Sequence, residues 1–158
     1  MVNLTRILRH VLKVIIPFTI ILCISPTIFA LSLTQTQTLD FGKFIGGAGD
    51  SGTITISPSG ARYATGGVKP LGSIFSTARF TIYGSPLGSY TLTLPASLTI
   101  ISRENHMQIT SLTSSVPVTG ELPAGGTLSF TIGGTLAVNS TQKNSTYIGR
   151  LDTSASGN

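Results

Sequence analysis

Alternation of apolar and polar residues at a period of two constrains this chain more than any other feature. Ile54 and Ile56 alternate with Thr53 and Thr55, and Ala78, Phe80 and Ile82 with Arg79 and Thr81. Tyr90, Leu92 and Leu94 alternate with Thr91 and Thr93, and Leu128, Phe130 and Ile132 with Ser129 and Thr131. Leu136 and Val138 continue beyond Gly133-Gly134. Successive side chains of a strand point to opposite faces, so each run has one apolar face and one Thr/Ser face. Threonine suits the outer face because its branched Cβ favours extended backbone. No segment of residues 31–158 holds the i, i+3, i+4, i+7 pattern of an amphipathic helix over three turns.

The interruptions carry turn chemistry. Ser57-Pro58-Ser59-Gly60, Gly84-Ser85-Pro86-Leu87-Gly88 and Leu122-Pro123-Ala124-Gly125-Gly126 each separate two runs. Short one-faced strands must bury their apolar faces against one another. An all-β, antiparallel sandwich is therefore expected, with a closed barrel as the competing solution. A membrane barrel would need about 9–11 alternating residues per strand and girdles of aromatic residues. Here the runs are shorter, Trp is absent and aromatic residues make up 7%. Leu92, Phe80, Phe130, Ile132 and Ile54 are the expected core.

The amino terminus follows another pattern. Arg6, Arg9 and Lys13 precede an apolar run at 14–24, interrupted only by Pro17 and Thr19 and followed by Pro26. Ile28-Phe29-Ala30 then supplies a small residue at a cleavage position. This is the order of a secretory signal peptide, cut between Ala30 and Leu31. The alternative, an uncleaved membrane anchor, needs about 20 mainly apolar residues, and this run is shorter. Cys23 is the only cysteine, but Ile20-Ile21-Leu22 before it lacks the small residues of a lipidation signal.

Cleavage after Ala30 leaves 128 of the 158 residues, enough for one domain with a real core. It removes Cys23, which excludes disulfides, cysteine nucleophiles and thiolate metal sites from the mature chain. It also removes three of the ten Lys and Arg residues. The net charge falls from +5 to +2, seven basic residues against five acids. The remaining basic residues are scattered and form no nucleic-acid stripe. The expected organisation is a signal peptide at 1–30, a sandwich at 31–151 and a polar tail at 152–158. The expected location is the periplasm, cell surface or extracellular space, with membrane contact only through the signal segment before cleavage.

Four motifs bear on chemistry. Gly49-Asp50-Ser51-Gly52 looks like the nucleophile motif of trypsin-like proteases, but Thr53 follows where those enzymes have Gly. A triad also needs a His base, and the one upstream histidine is His10, inside the signal. Gly47-Ala48-Gly49-Asp50-Ser51-Gly52 satisfies G-x-G-x-x-G. A strand-like Thr-Ile-Thr-Ile follows it, where a dinucleotide site needs a helix N-terminus. Glu104 and His106 lie two apart, yet His106 is the only mature histidine, and a catalytic zinc typically needs three protein ligands. Arg103-Glu104-Asn105-His106 reads more simply as a polar hairpin tip. Asn139-Ser140-Thr141 and Asn144-Ser145-Thr146 match glycosylation sequons, as Ser/Thr-rich chains do by chance. No catalytic residue, cofactor or metal site is expected.

Leu39-Asp40-Phe41-Gly42, Tyr90-Thr91-Leu92-Thr93-Leu94-Pro95 with Met107-Gln108-Ile109, and the segment from Gly120-Glu121-Leu122-Pro123-Ala124-Gly125-Gly126-Thr127 to Leu136 together carry a resemblance. Over roughly residues 33–149 the chain resembles a bacterial family of exported immunoglobulin-like domains labelled a domain of unknown function. That family is akin to spore-coat-U-type and chaperone–usher pilin subunits. The resemblance implies an exported structural or adhesive, pilin-like subunit without enzymatic activity. Its partners would be like subunits or a periplasmic chaperone, met by strand addition.

Such domains close on a long alternating strand. Here Ser145-Thr146-Tyr147-Ile148-Gly149 begins the closing pattern, but Asp152 to Asn158 supplies almost no apolar face. The last strand is degenerate or missing, through truncation or as a gap that a partner fills. A donor strand would lie at the extended N-terminus, where Leu31 and Leu33 alternate before Gln35 and Gln37 take the apolar phase. The alternative function is a secreted carbohydrate-binding module using exposed aromatics. Tyr63, Tyr83 and Tyr147 are candidates, and Tyr83, out of phase with Phe80 and Ile82, is the possible ligand contact.

Overall fold

The computed structural model describes residues 30–46 and 49–157. Apart from Ala30, the expected signal segment lies outside the described residues. The described residues form twelve strands and no helix: β1 (Ser32–Gln37), β2 (Lys43–Ile45), β3 (Gly52–Ile56), β4 (Arg62–Gly66), β5 (Lys69–Leu71), β6 (Ala78–Tyr83), β7 (Ser89–Thr93), β8 (Ser97–Ser102), β9 (Asn105–Ser114), β10 (Thr119–Glu121), β11 (Thr127–Val138) and β12 (Ser154–Ser156). Every pairing is antiparallel. This is the expected all-β sandwich.

The organising element is β11. Its alternation runs unbroken through Gly133-Gly134, because Leu128, Phe130, Ile132, Leu136 and Val138 share one parity and one face. From Thr127 to Ile132 it pairs with β6, and from Gly134 to Val138 with β3. Its opposite edge takes β9 from Ile132 to Ala137. β1 extends the sheet beyond β6, β4 beyond β3 and β8 beyond β9. Gly133 lies where the neighbour on one edge changes from β6 to β3. A Cβ there would fall 2.1 Å from the Ile56 carbonyl oxygen, so only glycine lets the Ser57-Pro58 turn pass this close. On β9 the ladder slips by one residue, and Ser111 sits at φ +52°. This bulge bends β9 across the core.

Two smaller sheets cover the large one. One has the order β10-β7-β12, and the other pairs β2 with β5. The core divides accordingly. Ile54, Ile56, Ile100, Met107, Ile109, Leu136 and Val138 form one cluster with Phe41 and Val68, and Phe44 of β2 packs against it. Ala78, Phe80, Ile82, Tyr90, Leu92, Leu122, Phe130 and Ile132 form the other. Leu39 and Leu112 touch both. All five expected core residues are buried, none more than 4% exposed. Phe80 and Phe130, opposite one another on β6 and β11, stack with ring centroids 5.7 Å apart.

The outer face of the large sheet is hydroxyl-rich, as the alternation predicts. Its hydroxyls pair across strands: Thr53 with Thr65 at 2.8 Å, Thr55 with Thr135 at 2.9 Å and Thr81 with Ser129 at 3.0 Å.

The stretch 152–158, expected as a polar tail outside the sandwich, instead contributes β12. Ser154, Ala155 and Ser156 pair with Thr93, Leu92 and Thr91 of β7. Ala155 faces inward with Leu92 and packs on the second cluster. One small apolar residue completes this edge because the main chain supplies the rest, and a search for large alternating side chains passes over it. The last strand is thus short, and it lies beside β7 rather than β11.

Candidate functional site

Strand edges are the part of the expected function that the geometry can address. β1 lies at an edge of the large sheet and pairs with β6 alone. Ser32, Leu33, Thr34 and Gln35 stand opposite Tyr83, Ile82, Thr81 and Phe80. Leu33 therefore shares the inward face of Ile82, while Ser32 and Thr34 share the outer face of Tyr83 and Thr81. Leu31 and Leu33 are half-buried against the second cluster.

A bulge then changes the phase. Gln35 faces Phe80, but the next partner of Arg79 is Gln37, with Thr36 extra between them. Thr36 Oγ1 donates to the Arg79 carbonyl oxygen at 3.3 Å. The expectation that both glutamines take the apolar phase is corrected for Gln37, which the bulge turns outward beside Arg79. Gln35 keeps the inward phase but stays exposed at the open edge, its Nε2 donating to the Gln37 carbonyl oxygen.

The first and last described strands meet along this edge. β1 contacts β12, and Gly157 approaches the Leu31 side chain, to which a Cβ would lie 3.7 Å away. Leu31 and Leu33, from one sheet, and Ala155, from the other, pack on the same cluster. The sandwich is closed on this side by strands from its own two ends. At the expected cleavage position, Ala30 is exposed while Leu31 is half-buried against the second cluster.

The residues considered for chemistry are dispersed. Tyr83 is 48% exposed on the outer face, as expected, and lies between Ser32 and Thr127. Tyr63 is exposed as well, opposite Thr55, which pairs in turn across β3 with Thr135. Thr127 and Thr135 are separated by roughly 26 Å along β11 at about 3.3 Å per residue. The two tyrosines therefore cannot stack on one sugar ring. Tyr147 is half-buried, its hydroxyl accepting from Gln142 Nε2 at 2.6 Å and donating to the Lys143 carbonyl oxygen at 2.8 Å.

Ser51 is exposed and engages Gly67 only through its main-chain oxygen. Gly47 and Ala48 of the glycine motif lie outside the described residues, and Gly52 opens strand β3, not a helix. Arg103 and Glu104 form the tip of the β8–β9 hairpin, with Arg103 at φ +52°. Glu104 and His106 come together with Asn105, Asn139, Thr141 and Gln142 around a polar cleft of about 160 Å³. The contribution of residues 139–142 has no signal in sequence, because a loop's return depends on the whole fold. Among the described residues no group of three His, Cys, Asp or Glu is placed to hold a metal ion.

The model of a domain of unknown function, DUF4402, matches residues 31–156, and the chain belongs to this family. The match begins at Leu31 and takes in β12, so its span coincides with the folded unit. Neither the curated proteins nor the solved structures include a match.

Proposed function

We propose that the protein is an exported, pilin-like structural or adhesive subunit of the cell surface that joins its neighbours by exchanging strand β1. The observation that carries this reading is the seating of β1. It is an edge strand at the start of the domain, held by one ladder, by half-buried Leu33 and by half-buried Leu31 just before it. The same strand from a neighbouring copy would make the same main-chain bonds and fill the same groove, the basis of strand addition and swapping. The resemblance carried by Leu39-Asp40-Phe41-Gly42 and by the segment from Gly120 to Leu136, to an exported family akin to spore-coat-U-type and chaperone–usher pilin subunits, supports it. A chain with its edge open would need a partner, a like subunit or a periplasmic chaperone, to avoid aggregation. The reading invokes no enzymatic chemistry.

The test compares a chain starting at Leu31 with one starting at Leu39, which lacks β1. The shorter chain is expected to lose solubility and to regain a cooperative unfolding transition when a peptide of residues 31–38 is added. Native envelopes are expected to yield ladders or a stable heteromer by size exclusion with light scattering. A shorter chain that folds unchanged and ignores the peptide overturns the proposal.

A further inference from the structure

The face built by β2, β5 and the loop after β5 combines three properties. The first is apolar exposure. Ile45 is 52% exposed, Leu71 44% and Ile74 81%. The second is charge in register with it. Lys43 stands opposite Leu71, and Ile45 opposite Lys69, around a central Phe44–Pro70 pair. Phe44 packs into the core, so Lys43, Ile45, Lys69 and Leu71 all share the outer face. Lysine and bare aliphatic side chain thus alternate both along and across the two strands. Among the described residues the one ion pair is Arg150–Asp152, so neither lysine pairs with a carboxylate there. Asp40, three residues from Lys43, turns a carboxylate oxygen back to accept from the Gly42 N–H at 2.8 Å.

The third property is that Ile74 is held outward. Arg62 donates to the carbonyl oxygens of Phe41 and Gly72, and its guanidinium lies 4.4 Å from the centroid of the Phe75 ring. Ser76 exchanges two main-chain bonds with Asp40, each 2.8 Å, and its hydroxyl donates to the Thr38 carbonyl oxygen. The Ile74 carbonyl packs so closely on Gly42 that a Cβ there would lie 2.2 Å from its oxygen. The loop is therefore fastened on both sides of an isoleucine that has almost no cover.

We propose that this face docks on an anionic lipid surface, with Ile74, Leu71 and Ile45 entering the acyl boundary and Lys43 and Lys69 at the phosphates. Charge complementarity selects this occupant. Lysine stems lie along apolar surface and keep their ammonium groups at the polar layer, and basic residues draw a protein to anionic membranes. This proposal does not rest on the exchange of β1, which lies on a different part of the fold.

The experiment uses the chain from Leu31, which supplies both core clusters and excludes the apolar 14–24 run. It is sedimented with vesicles of phosphatidylcholine alone and with vesicles containing phosphatidylglycerol. Binding to the anionic vesicles is expected at low salt, weakening in 0.5 M NaCl, with little binding to neutral ones. Ile74→Asp and the pair Lys43→Glu/Lys69→Glu are each expected to lower the partition coefficient roughly tenfold or more. Both substitutions fall at exposed positions, and an unchanged thermal midpoint checks the fold. No binding to anionic vesicles, or binding indifferent to both variants, overturns the proposal. So does self-association that Ile74→Asp abolishes without any effect on vesicles, which would make this face an interface between copies.

Discussion

The core around Ile54, Ile109 and Leu136 is bounded by β3, β9 and the second half of β11, strands of 5, 10 and 12 residues. The core around Phe80, Leu92 and Phe130 shares β11 but is covered by β7 flanked by β10 and β12, each of the latter 3 residues long. Its remaining side is sealed by β1, with half-buried Leu33, and by half-buried Leu31 just before it. Both clusters contain fully buried side chains, so interior packing does not distinguish them. They differ at the boundary. One is closed by strands from the middle of the described residues and the other by their first and last strands, and that second boundary is where the proposed exchange of β1 would act.

The contrast can be broken most directly by truncating one residue on each side of it. Ile54→Ala removes a side chain with 0% exposure from the first cluster, and a loss of about 2–5 kcal/mol is expected in urea unfolding. Gly133→Ala strikes the point where β11 changes partner. It should cost about 1–3 kcal/mol, because the new methyl meets backbone that cannot rotate away. Leu33→Ala should cost less, about 1 kcal/mol, since the side chain is only half-buried. Its signature in hydrogen exchange would be faster exchange in β1 and β12 with β3 unchanged. If Leu33→Ala costs as much as Ile54→Ala, or exposes β3 equally, the two halves are one cooperative unit and the comparison fails. Tyr83→Ala, on the outer face, should stay within about 0.5 kcal/mol. Glycan-array binding that disappears with it would favour the carbohydrate-binding alternative.

The alternation exposed the strands whose inner faces are rows of large residues, β3, β6, β7 and β11, and with them the five core residues. It marked β1 only through Leu31 and Leu33, and it was silent on β10 and β12. These are defined by main-chain pairing at an edge, where a leucine, a glycine or an alanine serves as well as an isoleucine. The bulge at Thr36 was hidden for a related reason. Gln35 and Gln37 have the same parity, and only the extra residue between them places one inward and one outward. The hairpin tip at Arg103-Glu104 was legible, but its partners Asn139 and Gln142 were not. The docking face shows the same limit. Lys43, Ile45, Lys69 and Leu71 carry little signal until the pairing of β2 with β5 puts them on one surface.

The position of β11 along the chain also sets an order of events. β3, β6 and β9 all take their long ladders from residues 127–138, close to the end of a 158-residue chain. Until that segment is present, β3 with β4, β8 with β9 and β1 with β6 can pair only as separate two-stranded units, and such units are marginal in water. The large sheet can therefore assemble only once β11 is present, from contacts distant in sequence. For the exported subunit proposed above, late assembly of the sheet would suit passage through a translocation channel in extended form.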